Sequence, residues 1–384
     1  MINIRNSVCR LEKYIESKDY RGYDPYDGLM SPIFSIPILI TKPKVRFVIQ
    51  QIVKRLPINV RSILHIKKGL NPVTIGLCIQ GYSYLMKIYP DKSFIYSKKI
   101  DYLMNILVEL SSRGYSGLCW GYDFDWESRY ISLPAYTPTI VATGFITNSL
   151  FEFYNITGNK TAKDMIIDSG RFILNDLNKK FFGNTFCYSY SPLDNQIVFN
   201  ATMKGARLLS QVYSITKNTD LKVEAEKTVK FVMSYQKNDG SWIYSEGDER
   251  NWVDNFHTAY ILDCLFSYIN LTKDEKYNKY LYLGTNYYFN NLFNENYLPK
   301  YYNNSLYPID STSAAQSIIT ACRFGNIDLA INIAKWMIDN MQAVEGYFYY
   351  QKNRLIKNKI PYMRWSNAWM FVALAYLLFR MDFE

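Results

Sequence analysis

The chain has 384 residues, a formal net charge of +10 at pH 7 and 17% aromatic residues, including 35 tyrosines. The positive charge is spread along the chain without a basic stripe or a nucleic-acid-binding motif, which argues against nucleic acid and favours an acidic ligand such as an anionic glycan. Tyrosine suits surfaces that stack on sugar rings, although the accompanying abundance of Asn, Ile and Lys is also typical of an AT-rich genome.

The sequence carries no signal for export or for membrane insertion. Its six cysteines are scattered without a C-x-x-C pair, which is typical of reduced thiols. The first residues lack the apolar core of a signal peptide, and no window reaches the roughly 18 uncharged apolar residues of a membrane span. We therefore expect a cytoplasmic protein, with peripheral membrane or glycan-assembly association allowed by its charge and its oligomeric state left open.

Helical periodicity is the most informative pattern. Apolar segments begin near Val73, Ala135, Gln196, Asn255, Ser311 and Ser366, roughly 55–60 residues apart. Each follows a more charged, amphipathic candidate helix, at about 45–56, 95–112, 159–178, 218–236, 273–294 and 325–342. A helix that is apolar on several sides must be buried, whereas one with a charged face can lie outside.

Six such alternations predict an all-α fold, an (α/α)6 toroid with an inner and an outer ring of helices and with short β-like segments only in loops. We expect one domain over residues 1–384, in which residues 45–384 form the six helical hairpins and residues 1–44 form an N-terminal extension or lid. An open superhelical array of the same hairpins remains the alternative, because spacing alone does not show closure.

The loops predict where a site would lie. Those that lead from an outer to an inner helix are long and rich in polar and aromatic residues, for example "GLCWGYDFDWESRYISLPAYTP", whereas "NITGNKTA" and "INLTKDE" are short turns in the opposite direction. In a toroid all the long loops open on one face, together with the N-termini of the six inner helices. Those N-termini create a positive field that favours an anionic ligand.

Several stretches resemble known toroid families. "QKNDGSW" resembles the Gln…Gly-x-Trp repeats of terpenoid cyclases, and "GLCWGY" and "MQAVEGYFYY" look like weaker copies. Six-hairpin glycosidases and uronate-acting toroids use similar turns. "WVDNFHTAYILDCL", "YPIDSTSAAQSIITACRFG" and "IPYMRWSNAWMFVALAYLL" resemble a toroid family associated with bacterial and archaeal surface-polysaccharide biosynthesis. The resemblance covers nearly the whole chain and implies the fold and a polysaccharide context rather than one reaction.

The residue types exclude some relatives that share this fold. Terpenoid cyclases require an Asp-rich acid motif, and the nearest equivalent, Asp123 and Asp125, does not match its spacing. Protein prenyltransferases bind zinc through Asp, Cys and His, and acylglucosamine 2-epimerases use paired histidines. This chain has two histidines, of which only His257 is expected on the loop face. We therefore predict no metal and no cofactor.

The segment "WVDNFHTAYILDCL" carries the first catalytic candidates. Asp254, His257, Ile261 and Cys264 share one helical stripe, with the two polar residues in the first turn. Asp254 is either an N-cap or the group that orients His257. His257 is either a hydrogen-bonded core histidine or an acid or base in the funnel.

The loop "GYDFDWESRY" supplies a second group of candidates. Glycoside hydrolysis requires two carboxylates and an aromatic platform that holds the sugar. One carboxylate could be Asp123 or Asp125, and the other Asp254, Glu246 or Asp310 from across the ring. The remaining polar and aromatic side chains of this loop are candidates for substrate binding, namely Tyr122, Trp126, Glu127, Arg129 and Tyr130. A solvated acidic loop is the alternative interpretation.

The remaining candidates lie in the other long loops. Asp310 begins the fifth inner helix and is either a cap or a ligand contact. Arg364 can clamp a carboxylate or phosphate bidentately, or form a structural ion pair. The aromatic candidates for substrate binding are Tyr188, Trp242, Trp252, Tyr362 and Trp365. The segment "RGYDPYDGL", with Tyr23, Asp24, Tyr26 and Asp27, is either a lid over the face or a simple turn.

Three hypotheses of function follow. The first is an enzyme that acts on an acidic surface polysaccharide or on its lipid-linked or nucleotide-linked precursor. Its reaction would be hydrolysis, or epimerisation or elimination at a uronate with His257 or a tyrosine as base and Arg364 holding the carboxylate. The second is a non-catalytic saccharide-binding protein of a glycan-biosynthesis complex. The third is a terpenoid-cyclase-like or prenyl-binding toroid, which requires an apolar funnel.

Overall fold

The structure is a computed structural model that describes residues 2–35 and 42–383. We number its α-helices in chain order: α1 Ile2–Ser17, α2 Pro43–Arg55, α3 Pro72–Ile88, α4 Ser93–Glu109, α5 Ile140–Thr157, α6 Lys160–Asn175, α7 Phe199–Thr216, α8 Thr219–Met233, α9 Asn255–Thr272, α10 Asn278–Asn291, α11 Ser311–Arg323, α12 Ile327–Met341 and α13 Trp369–Phe383. Short 3₁₀-helices cover Asp27–Met30, Pro32–Ser35, Pro90–Lys92 and Glu275–Tyr277, and a π-helical turn, Met363–Ala368, leads into α13.

Six helices form a closed inner ring. Each of α3, α5, α7, α9 and α11 packs against the next inner helix in this order, and α13 packs back against α3. These helices are buried on nearly all sides, as their apolar sequences predict. The (α/α)6 toroid is therefore confirmed, and the open superhelical alternative is wrong because the last inner helix contacts the first.

The outer ring differs from the sequence prediction at one position. Helices α4, α6, α8, α10 and α12 pack outside the ring near their predicted ranges, but the sixth outer position is filled by α1, which packs against α12 and α13. The segment predicted as the first outer helix, 45–56, forms α2 and packs on the 3₁₀-helix Asp27–Met30 and a short strand of the loop face. The boundary drawn at residue 45 between an extension and the hairpins does not match this arrangement.

Two copies of a Gln…Gly turn connect neighbouring outer helices. The Gln236 side chain donates to the Gly240 carbonyl at 3.0 Å and to the Tyr280 carbonyl of α10 at 2.9 Å. Gln342 repeats this pattern on Gly346 at 2.9 Å and on Ser7 of α1 at 3.1 Å. The repeats that resemble those of terpenoid cyclases are thus structural links, and the second one attaches α1 to the ring.

Tryptophan and glycine complete these turns. Trp242 is buried and its indole donates to the Val232 carbonyl of α8 at 3.1 Å. Trp120 makes the equivalent bond to the Leu107 carbonyl of α4 at 2.7 Å. Gly346 has φ +100°, and a Cβ there would lie 2.4 Å from the Arg10 carbonyl oxygen, so only glycine allows α1 to approach this closely.

The strands are short and lie in loops, as predicted: β1 Trp126–Glu127, β2 Ser132–Leu133, β3 Lys179–Phe182, β4 Thr185–Tyr188, β5 Ile197–Val198, β6 Ser245–Glu246, β7 Ile309–Asp310, β8 Gln351–Lys352 and β9 Lys357–Asn358. All pairs are antiparallel, and β5 pairs with β6 while β8 lies between β7 and β9. These pairings join loops that precede different inner helices, so the long loops share one face. We call the space that they enclose above the inner-helix N-termini the funnel.

Side-chain caps fix the inner-helix N-termini at this face. Asn71 caps α3, Thr139 caps α5, Asp254 caps α9 and Asp310 caps α11. Each accepts from a backbone N–H of the first turn, which would otherwise lack a partner. Within the described ranges, no helix has both the length and the apolarity that crossing a membrane requires.

Candidate functional site

His257 and Asp254 contact each other at the N-terminus of α9. Asp254 Oδ1 accepts the His257 backbone N–H at 2.8 Å, and Asp254 Oδ2 lies 2.6 Å from His257 Nδ1. Asp254 Oδ2 also accepts the Trp252 indole N–H at 3.1 Å. The Asp254 side chain is 3% exposed and that of His257 24% exposed. Asp254 therefore caps the helix and orients the imidazole at the same time.

The contact with Asp254 determines which ring nitrogen of His257 is free. When Nδ1 carries the proton and donates it to Asp254, a neutral imidazole presents its lone pair at Nε2. Among the described residues, the hydrogen bonds of the ring run through Nδ1. A partly exposed imidazole with this tautomer can accept a proton from a ligand.

Aromatic rings surround this pair. The Tyr244 ring lies 4.5 Å from the His257 ring and stacks on Trp252 at 5.2 Å. Phe256 and Tyr260 lie 4.3 and 6.0 Å from the imidazole. Burial raises the pKa of Tyr244 and Tyr260 well above 10, so both phenols stay protonated and can donate hydrogen bonds. Flat rings with polar edges are suited to sugars.

In the acidic loop, the segment "GYDFDWESRY", two of the carboxylates are bound by other groups of the protein. Arg46 of α2 donates to Asp125 at 3.1 Å and to Glu127 at 3.0 Å. Glu127 is 2% exposed and also accepts from the Ser132 hydroxyl at 2.6 Å, while Asp125 accepts from the Ala135 backbone N–H at 2.9 Å. This arrangement disfavours Asp125 as a catalytic carboxylate and Glu127 as a substrate contact, because Arg46 forms an ion pair with both.

Asp123 belongs to a separate cavity. Its Oδ1 accepts from the Asn71 side chain at 2.6 Å. Burial, together with the charge of Asp24, raises the pKa of Asp123 to about 6. The cavity has a volume of about 210 Å³, and Asp24, Lys68 and Arg364 are among the residues that line it. Asp123 thus lies beside the funnel, without a described contact to His257.

Arg364 forms the wall between this side cavity and the funnel. Its guanidinium donates to both carboxylate oxygens of Asp24, at 2.7 and 2.9 Å, and both side chains are 6% exposed. It also lies over the Tyr122 ring at 4.8 Å and the Trp365 ring at 5.0 Å. Of the two sequence-based interpretations, the structural ion pair is present. A clamp for a ligand would require this buried pair to break.

Asp310 acts as a helix cap. It accepts from the backbone N–H groups of Thr312 at 2.9 Å and Ser313 at 3.0 Å, and from the side chains of Gln351 at 2.8 Å and Trp365 at 3.2 Å. It is 1% exposed. With four donors around it, this carboxylate has no free position for a ligand.

Several predicted substrate contacts lie outside the funnel. Tyr188 is buried, and its hydroxyl donates to Glu224 of the outer helix α8 at 3.1 Å. Trp242 is a core residue. Tyr362 is buried against Arg61 and Tyr350. Their aromatic character suggested sugar contacts, but burial in the packing of the ring explains it instead. The side chains that do meet around the funnel are those of Tyr122, Trp126, Trp252 and Trp365, and Arg129 and Tyr130 lie on the exposed rim.

The N-terminal segment covers the funnel. The Tyr26 ring makes edge contacts with Trp126 at 6.5 Å and with Trp365 at 5.8 Å. Its hydroxyl accepts a hydrogen bond from the Lys54 ammonium of α2 at 2.6 Å. The sequence predicted that residues 1–44 form an N-terminal extension or a lid, and residues 1 and 36–41 of this range lie outside the described residues. Among the described residues, the part that lies over the funnel is the segment around Tyr26 together with α2. No pattern in the sequence around Lys54 indicates that its side chain reaches Tyr26.

Sequence reasoning also missed the floor of the funnel. Lys204 of α7 is 0% exposed, and its ammonium lies 4.0 Å from the Phe145 ring centre and 3.7 Å from that of Tyr260. Phe145 and Tyr260 both contact Trp369 of α13, at 4.9 and 5.9 Å. A lone lysine in the apolar segment that begins near Gln196 was the available signal.

No protein-family model and no curated protein matches the sequence. Several solved structures share its fold. A cellobiose 2-epimerase from Bacillus thermoamylovorans superposes with a TM-score of 0.62 at 11% identity, over 83% of this chain and 90% of that chain. A family 76 glycoside hydrolase (mannosidase) from Bacteroides thetaiotaomicron gives 0.60 at 10% identity, over 98% of both chains. An unsaturated glucuronyl hydrolase specific for heparin gives 0.59 at 12% identity, over 98% of this chain and 95% of that chain.

These similarities confirm the predicted six-hairpin, glycosidase-like toroid at the level of the fold. Sequence identities of 10–12% carry no residue correspondence, so they leave the reaction undetermined. The association with surface-polysaccharide biosynthesis stays a prediction.

Proposed function

We propose that this protein is a carbohydrate-active enzyme that acts on an acidic glycan, either a surface polysaccharide or its lipid-linked or nucleotide-linked precursor, by proton transfer at a sugar carbon. The observation that carries the proposal is the His257–Asp254 pair, partly exposed among tyrosine and tryptophan rings at the N-terminus of an inner helix. The proteins with similar structures are described as an epimerase, a mannosidase and a glucuronyl hydrolase, which supports a saccharide ligand.

The proposed reaction uses the free nitrogen of His257. Nε2 takes the C5 proton of a uronate, and the electron pair of the broken C–H bond delocalises into the adjacent carboxyl group. Delivery of a proton from solvent to the opposite face of C5 gives the epimer. In elimination, the electron pair from C5 instead forms the C4=C5 double bond, and the C4 oxygen substituent leaves with the electrons of the C4–O bond. Asp254 holds the imidazole in position and stabilises the imidazolium that forms.

Two-carboxylate hydrolysis has weaker support from the geometry. It requires one acid and one base on opposite sides of the scissile bond. Asp125 and Glu127 are bound by Arg46, and Asp310 is saturated by its cap contacts. Asp254 is bound by His257 and Trp252. Proton transfer by His257 needs none of these carboxylates to be released.

The test uses a uronate-containing oligosaccharide in heavy water. By NMR, we expect either solvent deuterium at C5, which indicates epimerisation, or a C4=C5 unsaturated product without a C5 proton, which indicates elimination. His257→Asn should slow either reaction by about 10²–10⁴-fold, and Asp254→Asn should also slow it. His65→Asn is the matched control, because His65 is the other histidine, is exposed and has φ +53°, which asparagine tolerates.

Three other results would contradict the proposal. A saccharide that binds but is recovered intact and unexchanged after long incubation supports the non-catalytic binding protein. New reducing ends that persist in His257→Asn support hydrolysis by other groups. Stabilisation by isoprenoid diphosphates alone, in a thermal-shift assay, supports a prenyl-binding toroid.

A further inference from the structure

The floor of the funnel is built around a charged side chain. Phe145, Tyr260 and Trp369 come from α5, α9 and α13, which are alternate helices of the inner ring, and their rings meet one another. Side chains from alternate helices can meet in this way only across the ring axis. Lys204 of α7 inserts its ammonium between the Phe145 and Tyr260 rings, so it lies close to that axis.

The hydrogen-bond donors of the Lys204 ammonium are unused within the part of the chain that the structure describes. Its Nζ is buried and makes no hydrogen bond to any described residue. Asp263 of α9 and Arg207 of α7 act on it only through their charges, without a hydrogen bond. Asp263 instead accepts from Gln316 at 2.8 Å. An ammonium carries three hydrogen-bond donors. Burying them without acceptors raises the free energy of the folded state, and a ligand that supplies an acceptor would lower it again.

The position of Lys204 relative to His257 fits one kind of ligand. The centre of the His257 ring lies 6.0 Å from that of Tyr260, which is 3.7 Å from the Lys204 ammonium, so the centre of the imidazole and the ammonium are no further apart than these two distances together. In a uronate the carboxylate is bonded to C5. A base at the C5 proton and an ammonium at the carboxylate would therefore be about 6–9 Å apart, given hydrogen bonds of about 3 Å.

We propose that the Lys204 ammonium is the receptor for the carboxylate of a uronate sugar in the funnel, an inference that rests on the function proposed above. Phe145, which is only half buried, is the ring that must turn to admit the carboxylate. Arg364 does not serve this purpose, because its guanidinium is bound to Asp24. Lys204 thus selects for the anionic form of the sugar and stabilises the negative charge that develops on the carboxyl group.

The experiment compares two forms of one ligand. An oligosaccharide of glucuronate and its carboxyl-reduced counterpart differ only at C6, where a carboxylate is replaced by an uncharged hydroxymethyl group, and calorimetry measures their dissociation constants. We expect the wild type to prefer the anionic form by roughly tenfold to hundredfold, the size of a charge-assisted hydrogen bond. Lys204→Met should remove the preference. Lys227→Met, which removes an exposed lysine of the outer helix α8, should keep it.

A second readout separates a ligand contact from a packing role. Burial lowers the pKa of Lys204 to about 7, and a bound carboxylate would raise it again. Binding of the anionic form above pH 7 should therefore take up a proton, measured as a difference between two buffers of unlike ionisation enthalpy. Lys204→Met should show no such uptake.

The outcomes distinguish this inference from the function on which it rests. Equal affinity of the wild type for both ligand forms overturns the role of Lys204 and leaves the function standing. The same holds if a folded Lys204→Met variant, with an unchanged melting temperature or a higher one, keeps the full preference. If the wild type binds neither form and exchanges no C5 proton, the proposed function itself is wrong and the inference falls with it.

Discussion

Replacing Lys204 by methionine should change how the stability of the protein depends on pH. The ammonium is 0% exposed and has no acceptor among the described residues. Methionine has a similar length and no charge, so Lys204→Met removes the buried charge and keeps the contacts with Phe145 and Tyr260. The variant tests whether the floor of the funnel holds an uncompensated cation.

The magnitude follows from the pKa of the lysine. Burial lowers it from 10.5 to about 7, and one unit corresponds to about 1.4 kcal/mol. The native state gives up this proton more readily than the unfolded state. The free energy of unfolding of the wild type should therefore be about 5 kcal/mol lower below pH 7 than above pH 10, as far as this one group is concerned. The stability of the wild type should rise with pH across that window. The stability difference between Lys204→Met and the wild type should shrink by the same amount.

The assay is urea unfolding of both proteins at several pH values from 6 to 10. Other titrating groups are present in both proteins, so their contributions cancel in the difference between the two free energies of unfolding. We expect the variant to have its largest advantage at pH 6 and to lose most of it by pH 10. Two stability profiles that stay parallel across this window would refute the reasoning, since they would show that Lys204 has the same pKa in both states.

Three further predictions concern packing and access. Gly346→Ala should lower the free energy of unfolding by about 1–3 kcal/mol. The loss should exceed that of Gly158→Ala, because both glycines have positive φ but only a Cβ at position 346 would meet α1. Equal losses of the free energy of unfolding in urea would contradict this. Glu127→Gln should cost about 1–3 kcal/mol through its bond to Arg46, whereas Arg129→Gln at the exposed rim should not change stability. Tyr26→Ala loses two edge contacts of about 0.5–1.5 kcal/mol each, so the open funnel should be populated roughly five- to hundredfold more and stopped-flow association of a saccharide should be faster; an unchanged rate would show that Tyr26 does not close the funnel.

Much of the fold could be predicted from local sequence. The alternation of fully apolar with amphipathic segments separates inner from outer helices, because burial on all sides and burial on one face require different patterns. The capping residues Asp254 and Asp310 were likewise recognisable, since an acidic side chain before an apolar helical segment satisfies the first-turn N–H groups. The contact of Asp254 with His257 follows from their spacing of three residues on one helix.

The partners of the other candidates could not be predicted in this way. Asp125 and Glu127 are bound by Arg46, and Arg364 is bound by Asp24 from the other end of the chain. Nothing in the local sequence of the acidic loop indicates that a distant arginine will saturate it. Asp125, Asp254 and Asp310 therefore looked free in the sequence and are bound by other protein groups in the structure.

The sequence by itself determined the repeat, the helix types, the face that carries the long loops and the position of Asp254 and His257 on one helical stripe, because each depends on residues within about one helical hairpin. Only the tertiary structure decided which helix completes the outer ring, where α1 reaches Gln342 through a bond that spans most of the chain. It also decided that Lys204 lies beneath His257, since alternate helices of a closed ring bring Phe145, Tyr260 and Trp369 together at the axis. Contacts across the axis depend on ring closure, which no local pattern encodes.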